Sequence, residues 1–301
     1  MSKKLFVIYN PISGNNKSLK ILPKVKSYLK DNDISFEIIM SEYKGHIKDI
    51  LKNQNFSNYF SCCIIGGDGS FHEAINGYMS RNDQENVPLS LVPAGSGNSL
   101  ARDLDIIDYK SALAKIIRKQ TRYIDIAKIS YNNHILYSFN IVGWGMVATV
   151  GKKAEKFRWL GSERYTILSL LEIIVKKTYD AKITIYDKNN HKISMNDKFM
   201  FIMACNTIHT GKGMKIAPKA VLDDGLFDLV LIKDAPRIKL LNLMSKLFSG
   251  RHIYDNLVKY KKIKKIILET NKAEDLNVDG ELKGSSPFEM EINKKAITII
   301  N

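Results

Sequence analysis

Residues 62–77 read CCIIGGDGSFHEAING, an apolar run that stops at two glycines, an aspartate and a third glycine. The run is typical of a buried strand, and the residues after Asp68 are typical of a helix. A plain turn explains the glycines and the acid, because both residue types dominate turns. A loop that holds polyphosphate explains them equally well, since glycine lets the backbone approach an anion and a helix start attracts it. Both interpretations stay open at this point.

The rest of the first 120 residues repeats the same order of strand and helix. Apolar runs bounded by turn residues alternate with segments of helical periodicity, which predicts an α/β domain with a parallel sheet and helices on both faces. We predict strands at 5–9, 34–40, 60–65 and 88–93, and helices at 17–30, 46–52, 71–80, 98–104 and 110–119.

The pattern changes near residue 123. Alternating apolar and polar residues around Asn132 and Asn133 predict a hairpin, and a helical stretch follows at about 152–177. The remaining apolar runs are short and separated by turns, which indicates mainly antiparallel strands. We therefore predict an α/β domain at 1–127 and a β domain at 128–289.

Composition limits the class of protein and its partners. With 46 Lys and Arg against 31 Asp and Glu, the net charge of +15 favours anionic partners such as nucleic acid, a membrane surface or phosphorylated ligands. Three cysteines without a C-x-x-C pair argue against a disulfide framework or a thiolate zinc site and favour a reducing cytoplasm. The longest apolar patch, 165–175, is too short to span a membrane, so we expect any membrane contact to be peripheral.

Three predicted strands end in polar loops that contain glycine. These loops read NPISGNNK at 10–17, GGDGS at 66–70 and PAGSGNS at 93–99. Because ligands bind outside the carboxyl ends of parallel strands, we expect the three loops to share one edge of the sheet. None of them matches the P-loop or the dinucleotide-binding pattern.

Three acidic turns are candidates for chemistry. Asp68 lies in the second glycine loop, Asp279 and Glu281 flank a glycine near the end of the chain, and Asp224 lies in a third turn. A solvated turn is the simple interpretation of each. The functional interpretation is that they hold Mg²⁺, which takes one or two protein carboxylates beside substrate phosphates, or accept a proton from a hydroxyl nucleophile.

Four motifs in this order resemble the diacylglycerol kinase catalytic-domain family, which includes sphingosine and ceramide kinases. They are NPISG with Lys17, GGDGSFHEAING, PAGSGNSLAR and VDGE, and the resemblance runs from about residue 4 to the end. It implies a NAD-kinase-like α/β N-terminal domain and a C-terminal β-sandwich domain that binds the lipid substrate. It also implies an active site in the interdomain cleft and a last strand, at about 290–301, that returns to the first domain.

The resemblance also implies roles for individual residues. Asp68 or Asp279 would be the general base, Glu281 would help to hold Mg²⁺, and Asp224 would bind a structural magnesium. The residues implied to bind ATP are Asn10, Pro11, Ser13, Gly14, Lys17, Ser41, Glu42, Gly66, Gly67, Gly69, Glu73, Gly95, Ser96, Gly97, Asn98, Arg158, Arg164, Gly280 and Glu281.

One stretch resembles the sphingosine and ceramide kinase branch. It is GWGMVATVGKKAEKFRWLGSERYT, at 143–166. Gly151 falls where sphingosine kinases carry the aspartate that binds the amine of the substrate, and Thr149 falls where they carry another acid. A buried ammonium without a carboxylate is costly, so diacylglycerol and ceramide stay open beside the sphingoid base.

We therefore expect an ATP-dependent lipid kinase that transfers the γ-phosphate to a primary hydroxyl. The expected partners are a lipid substrate and a membrane surface rather than nucleic acid, with a homodimer as a further possibility. Two alternatives remain. One is a NAD kinase, which shares the GGDG loop, and the other is a non-catalytic protein that binds a membrane surface.

Overall fold

The strands of the N-terminal half pair in parallel, as the sequence predicted. The computed structural model describes residues 3–83, 85–157, 163–211 and 213–301. Strands β1 (Lys4–Tyr9), β2 (Phe36–Met40), β3 (Tyr59–Gly66) and β4 (Leu89–Pro93) form the sheet, together with the end of β14 (Phe288–Ile300). Their order is β14-β4-β3-β1-β2, and each neighbouring pair is parallel.

The chain divides into two compact units. One is made of Met1–Ile124 and Lys295–Asn301, and the other of Asp125–Lys294. The sequence predicts a boundary near residue 127 and a returning segment at about 290–301. The single strand β14 includes residues 289–292 and 296–300, which the sequence presents as two short runs.

Five helices accompany the strands of the first unit. The helix after the glycine loop begins at Asp68 rather than at residue 71 as predicted, because the amide of Phe71 already donates to the Gly67 carbonyl at 3.1 Å. Asp108 and Ser111 form a capping box at the start of the last of the five. The helices are α1 (Lys17–Asp31), α2 (His46–Asn53), α3 (Asp68–Tyr78), α4 (Ser99–Asp103) and α5 (Tyr109–Arg118).

The strands of the second unit pair antiparallel. Asn132 and Asn133 both have positive φ and join β5 to β6 in the predicted hairpin, with Tyr131 opposite His134. The other strand pairs inside this unit also run antiparallel. The strands are β5 (Thr121–Tyr131), β6 (His134–Ser138), β7 (Ile141–Gly145), β8 (Tyr179–Asp187), β9 (Lys192–Cys205), β10 (Phe227–Lys233), β11 (Val258–Glu269), β12 (Asp275–Val278), β13 (Glu281–Ser285) and the start of β14.

The second unit has two apolar cores. Strand residues such as Trp144, Phe199 and Phe227 build the first core. In the second, residues of three helices join residues of β9 and β10. These helices are α6 (Met146–Lys156), α7 (Arg164–Val175) and α8 (Arg237–Ser245), and a short 3-10 helix follows at Arg251–Tyr254.

The prediction of the helices of this unit from the sequence was partly wrong. The single helical stretch predicted at about 152–177 is two helices, α6 and α7, and residues 158–162 lie outside the described part of the chain. Helix α8 was not predicted, although Leu240, Leu243 and Met244 are buried at helical spacing. Among the described residues, no helix is long and apolar enough to cross a membrane.

Helix α1 supplies a stability test with an internal control. Leu29 is fully buried whereas Leu19, on the same helix, is 43% exposed and lies off the buried stripe. Because removing a buried leucine leaves a cavity, we expect Leu29→Ala to lower the free energy of unfolding by about 2–5 kcal/mol. Leu19→Ala should change it by less than about 1 kcal/mol, as a surface change does. Chemical denaturation measures both, and equal losses would contradict the assigned burial.

Candidate active site

The three glycine loops meet at one edge of the parallel sheet. They follow the carboxyl ends of β1, β3 and β4, as the sequence predicted from strand order. Their backbones touch: a Cβ atom added to Gly67 would lie 2.8 Å from the Cα of Gly95, and one added to Gly14 would lie 2.0 Å from the Ala94 carbonyl oxygen. Gly14 also has a φ of +58°. Side chains would force these loops apart, so glycine is required there.

Side-chain hydrogen bonds hold the loops in place. Asn10 Nδ2 donates to Ser70 Oγ at 3.1 Å, which ties the first loop to α3. Ser18 Oγ donates to the Asn10 carbonyl. In the third loop, Asn98 Oδ1 accepts from the Gly95 amide at 3.0 Å, and Asn98 Nδ2 donates to the Gly95 carbonyl at 2.8 Å. Hydrogen bonds within the protein therefore fix the conformations of the first and third loops.

Asp68 connects the second loop to the third. It is the first residue of α3, and its Oδ1 accepts from the Ser99 amide at 2.8 Å, where α4 begins. Ser99 Oγ lies 3.5 Å from Asp68 Oδ2. A carboxylate at the first turn of a helix is stabilised by the exposed amides there. Asp68 is partly exposed.

The loop after β2 joins the same edge. Ser41 is buried, and its amide donates to the Tyr9 carbonyl at 2.9 Å. Glu42 is exposed beside it. Glu73, predicted to bind nucleotide, accepts the Gly45 amide at 2.9 Å through Oε1. This hydrogen bond ties Glu73 to the loop, and its contact with a nucleotide stays a prediction.

The other predicted nucleotide residues of the first unit lie along the same loops. Lys17 is the first residue of α1 and is exposed, as is Ser96. The Gly97 carbonyl accepts Arg102 Nε at 3.4 Å. The remaining ones are Pro11, Ser13, Gly66 and Gly69.

Asp279 occupies a tight turn of the second unit. Asp279 and Gly280 join β12 to β13, with Val278 opposite Glu281. Both turn residues have positive φ, 54° and 90°, which is the two-residue hairpin that Asp-Gly favours. Asn277 Oδ1 accepts the Gly280 amide at 3.0 Å. The turn chemistry fixes where the Asp279 carboxylate points.

Donors from residues 138–141 converge on the Asp279 carboxylate. Oδ1 accepts from Ser138 Oγ at 2.6 Å and from the amides of Asn140 and Ile141 at 3.0 and 3.1 Å. Oδ2 accepts from the Phe139 amide at 3.4 Å. Asp279 is only 3% exposed. Sequence reasoning missed this donor loop, and its only local signal was the polar pair Ser138 and Asn140 among apolar residues.

The two predicted magnesium ligands are both next to lysines. Glu281 lies 3.0 Å from Lys283 Nζ. Asp224 contacts the Lys262 ammonium and accepts the Leu226 amide at 3.0 Å. Among the described residues, no group of three or more His, Cys, Asp or Glu side chains is placed to hold a metal.

Lys262 also lies near the buried carboxylate of Asp228. Its Nζ lies 3.6 Å from Asp228 Oδ2, and Tyr260 donates its hydroxyl proton to Asp228 Oδ1. Burial raises the pKa of Asp228, and burial together with the Asp228 contact raises the pKa of Tyr260. The Lys262 ammonium thus supplies positive charge beside Asp224 and Asp228, at the turn where the resemblance implied a structural magnesium.

Of the two predicted phosphate arginines, one is described. Arg164 is the first residue of α7, and its guanidinium lies 4.8 Å from the centre of the Tyr165 ring. This stacking orients the planar group. Arg158 lies outside the described residues.

Position 151 lies beside the Asp279 turn. A Cβ atom added to Gly151 would lie 2.4 Å from Asn277 Nδ2, so the amide of Asn277 fills the space next to α6. Nearby carboxylates contact lysines: Lys152 lies 2.8 Å from Asp275, and Lys153 contacts the buried Glu172.

A parallel α/β unit with glycine loops at the strand edge where such sheets bind ligands, joined to an antiparallel β unit, is the architecture of the NAD-kinase-like fold. Residues 4–129 match the diacylglycerol kinase catalytic domain, and residues 140–301 match the YegS C-terminal NAD kinase beta sandwich-like domain. The chain belongs to the diacylglycerol kinase catalytic-domain family, near its sphingosine kinase branch.

Known proteins resemble the chain over nearly its whole length. Sphingosine kinase 1 of Arabidopsis thaliana is 30% identical, over 98% of this chain and 71% of that protein. A diacylglycerol kinase of Staphylococcus saprophyticus is 28% identical, over 95% of this chain and 92% of that protein. The crystal structure of a diacylglycerol kinase from Bacillus anthracis has a TM-score of 0.77 at 22% identity, covering 99% of this chain and 96% of that one, which establishes the fold.

The contact between Gly67 and Gly95 can be tested by substitution. A Cβ atom at position 95 would lie 2.5 Å from the Gly67 Cα, so we expect Gly95→Ala to lower the free energy of unfolding by about 1–3 kcal/mol. Ser96→Ala, at the exposed neighbouring position, should leave it unchanged within about 0.5 kcal/mol. Chemical denaturation compares the two variants. A stable Gly95→Ala protein would show that the loops do not need this close approach.

Proposed function

We propose that the protein is an ATP-dependent lipid kinase that transfers the γ-phosphate of ATP to a primary hydroxyl of a membrane lipid. The observation that carries the proposal is the backbone contact of the three glycine loops at the carboxyl edge of the parallel sheet. The family of the chain and the names of its relatives, sphingosine kinase and diacylglycerol kinase, support the acceptor class.

The geometry of the loops fits a polyphosphate. Gly14, Gly67 and Gly95 let the three loops pack closely against one another, and these loops precede the starts of α1, α3 and α4. Amides at helix starts and glycine loops bind phosphate oxygens through backbone N–H groups. A NAD kinase would use the same loops. Residues 4–129 match the lipid-kinase catalytic domain, which favours the lipid acceptor.

The residues present also fit magnesium in the form that kinases use. Mg²⁺ takes one or two protein carboxylates and completes its shell with phosphate oxygens and water. Asp68 offers such a carboxylate beside the glycine loops, and a preformed group of three acids is not needed for this kind of site. The role of Glu281 in holding Mg²⁺, which the resemblance implied, stays a prediction. Bound ATP and Mg²⁺ would supply the transferable phosphoryl group and neutralise its charge.

We infer that Asp68 accepts the proton of the lipid hydroxyl. A general base must reach the substrate, and Asp68 is partly exposed whereas Asp279 is 3% exposed and surrounded by donors. The hydroxyl oxygen attacks the γ-phosphorus, its proton passes to Asp68, and the bond between that phosphorus and the β–γ bridging oxygen breaks to release ADP. Asp279 orders the turn that carries Glu281.

The acceptor that the site favours is a neutral lipid, such as diacylglycerol or ceramide. Glycine occupies position 151, where the resemblance places the amine-binding acid, and the amide of Asn277 fills that space. Asp275, Glu172 and Glu281 each contact a lysine. A sphingoid base that pairs its ammonium with one of these three acids would therefore compete with a lysine. The names of the plant relatives keep a sphingoid base as the second candidate.

We also infer peripheral association with a membrane surface, on the cytoplasmic side. The net charge of +15 favours anionic headgroups, and the proposed substrate resides in the bilayer. A homodimer stays a prediction, and analytical ultracentrifugation tests it.

Substitution of the two acids separates their roles. Asn keeps the shape of Asp and tolerates positive φ, so both loops should form. We expect Asp68→Asn to lower kcat by about 10²–10⁴ while the free energy of unfolding falls by less than about 1 kcal/mol, because Asn still accepts the Ser99 amide but lacks the charge that a helix start favours. Asp279→Asn turns one acceptor oxygen into a donor amide opposite the donors of 138–141, so it should also lower the free energy of unfolding by about 1–3 kcal/mol.

The measurement is phosphate transfer from labelled ATP, with thermal unfolding as the second readout. Asp33→Asn, at an exposed position with positive φ, is the matched control and should keep full activity. Full lipid phosphorylation by Asp68→Asn would exclude Asp68 as the base, and full activity in both variants would exclude a catalytic role for either acid.

Acceptor preference is tested with the same labelled ATP. In mixed micelles we expect diacylglycerol or ceramide to be phosphorylated with a kcat/KM about tenfold or more above that of a sphingoid base, because an unpaired buried ammonium is costly. NAD is the control acceptor. A faster reaction with the sphingoid base would overturn the neutral-lipid assignment, and turnover of NAD alone would overturn the lipid kinase.

A further inference from the structure

Helix α7 exposes an apolar face. Its inner face buries Leu168 and Ile173 in the second core of its unit. Its outer face carries Ile167, Leu171, Ile174 and Val175, which are 42–61% exposed and follow one another at helical spacing. Single exposed apolar residues are ordinary, but four on one stripe of a helix are typical of a docking surface.

Helix α8 continues this face. Arg237 Nε donates to the Ile174 carbonyl at 2.8 Å, which joins the start of α8 to the end of α7. Ile238, the next residue, is 82% exposed, and Leu241 is exposed one turn later. We call the resulting patch the α7–α8 surface; it consists of Ile167, Leu171, Ile174, Val175, Ile238 and Leu241.

The charges around the α7–α8 surface are mainly positive. The only acid of α7 is Glu172, which is buried against Lys153, and α8 contains no acid. Arg237 and Lys239 are exposed on α8. At the junction of the helices, Lys176 lies 2.9 Å from Asp234, so that acid is matched by a lysine. An apolar patch beside cations, without an exposed carboxylate on either helix, is complementary to anionic headgroups over an acyl layer.

We propose that the α7–α8 surface docks on an anionic phospholipid bilayer, with its isoleucines and leucines at the level of the acyl chains and Arg237 and Lys239 at the phosphates. The inference rests on the proposed function, because a membrane is where the proposed substrate resides. A second copy of the chain fits less well. A two-fold interface pairs the patch with itself, and neither helix carries an exposed carboxylate to match Arg237 and Lys239.

Docking is measured by the binding of the full chain to vesicles without ATP or substrate. The probes are vesicles of phosphatidylcholine alone and of phosphatidylcholine with phosphatidylglycerol. We expect binding to require the anionic lipid. The double variant Ile174→Glu with Ile238→Glu should bind about 100-fold more weakly, because each isoleucine that no longer enters the acyl layer costs about tenfold.

A matched control variant shows whether a new acid weakens vesicle binding wherever it is placed on the protein. Ile135 on β6 is 57% exposed, the same as Ile174, and lies outside the α7–α8 surface, so Ile135→Glu should bind within about twofold of the unmodified chain. Lys239→Glu should weaken binding to anionic vesicles about tenfold, and Lys188→Glu, at an exposed turn elsewhere in the unit, should weaken it much less.

Several outcomes overturn the inference. Unchanged vesicle binding by both the double variant and Lys239→Glu would exclude the surface, as would equal binding of the unmodified chain to neutral vesicles. A dimer in solution that the double variant abolishes, without any vesicle binding, would assign the surface to a second copy.

The test separates this inference from the proposed function. Phosphorylation of a monomeric short-chain lipid should be the same in the double variant and in the unmodified chain, because neither isoleucine belongs to the candidate active site. If no lipid is phosphorylated but vesicle binding depends on the α7–α8 surface, the kinase proposal fails while the docking surface stands. If lipid is phosphorylated but vesicle binding does not depend on the α7–α8 surface, the docking inference fails while the kinase proposal stands.

Discussion

The close approach of the Gly67 and Gly95 backbones is the constraint on which the candidate active site depends. Parallel pairing of β3 and β4 places Gly66 opposite Pro93, so the next residues of both strands emerge side by side. The Ala94 amide donates to the Gly66 carbonyl at 2.8 Å and extends the ladder by one more bond. Without side chains at 67 and 95, Asp68 reaches the Ser99 amide. One contact therefore sets the positions of an acid and of two helix starts.

The second candidate acid is positioned by the same kind of interaction. Asp68 is held by an amide at a helix start, and Asp279 by three amides and the Ser138 hydroxyl. In both cases the partners are mostly backbone groups, whose positions follow from the sheet and the turn rather than from flexible side chains. Such preorganised dipoles cost no reorganisation during a reaction, which suits phosphoryl transfer, where catalysis is mostly positioning and electrostatics.

The sequence predicted those features that local patterns encode. Alternating strand and helix signals indicated the parallel sheet, Asn132 and Asn133 indicated the hairpin, and the glycine loops followed from their places after strands. The pairing of Asp68 with Ser99, and of Asp279 with residues 138–141, joins segments far apart in the chain and leaves no local signal. The prediction combined α6 and α7 into a single helix. Both segments are amphipathic or apolar throughout, and periodicity alone does not mark where one helix ends and the next begins.

The order of strands has a consequence for how the chain becomes a folded protein during synthesis. In the first unit, β4 pairs on one side with β3 and on the other with the end of β14, where Ile299 lies opposite Leu89. The Asn301 amide also donates to the Gln120 carbonyl at 2.9 Å. As the ribosome delivers residues in order, one edge of β4 stays uncovered while the whole second unit is made. The unpaired backbone N–H and C=O groups along that edge would meet water or a chaperone during that interval, so the rate of translation and the yield of native protein are coupled.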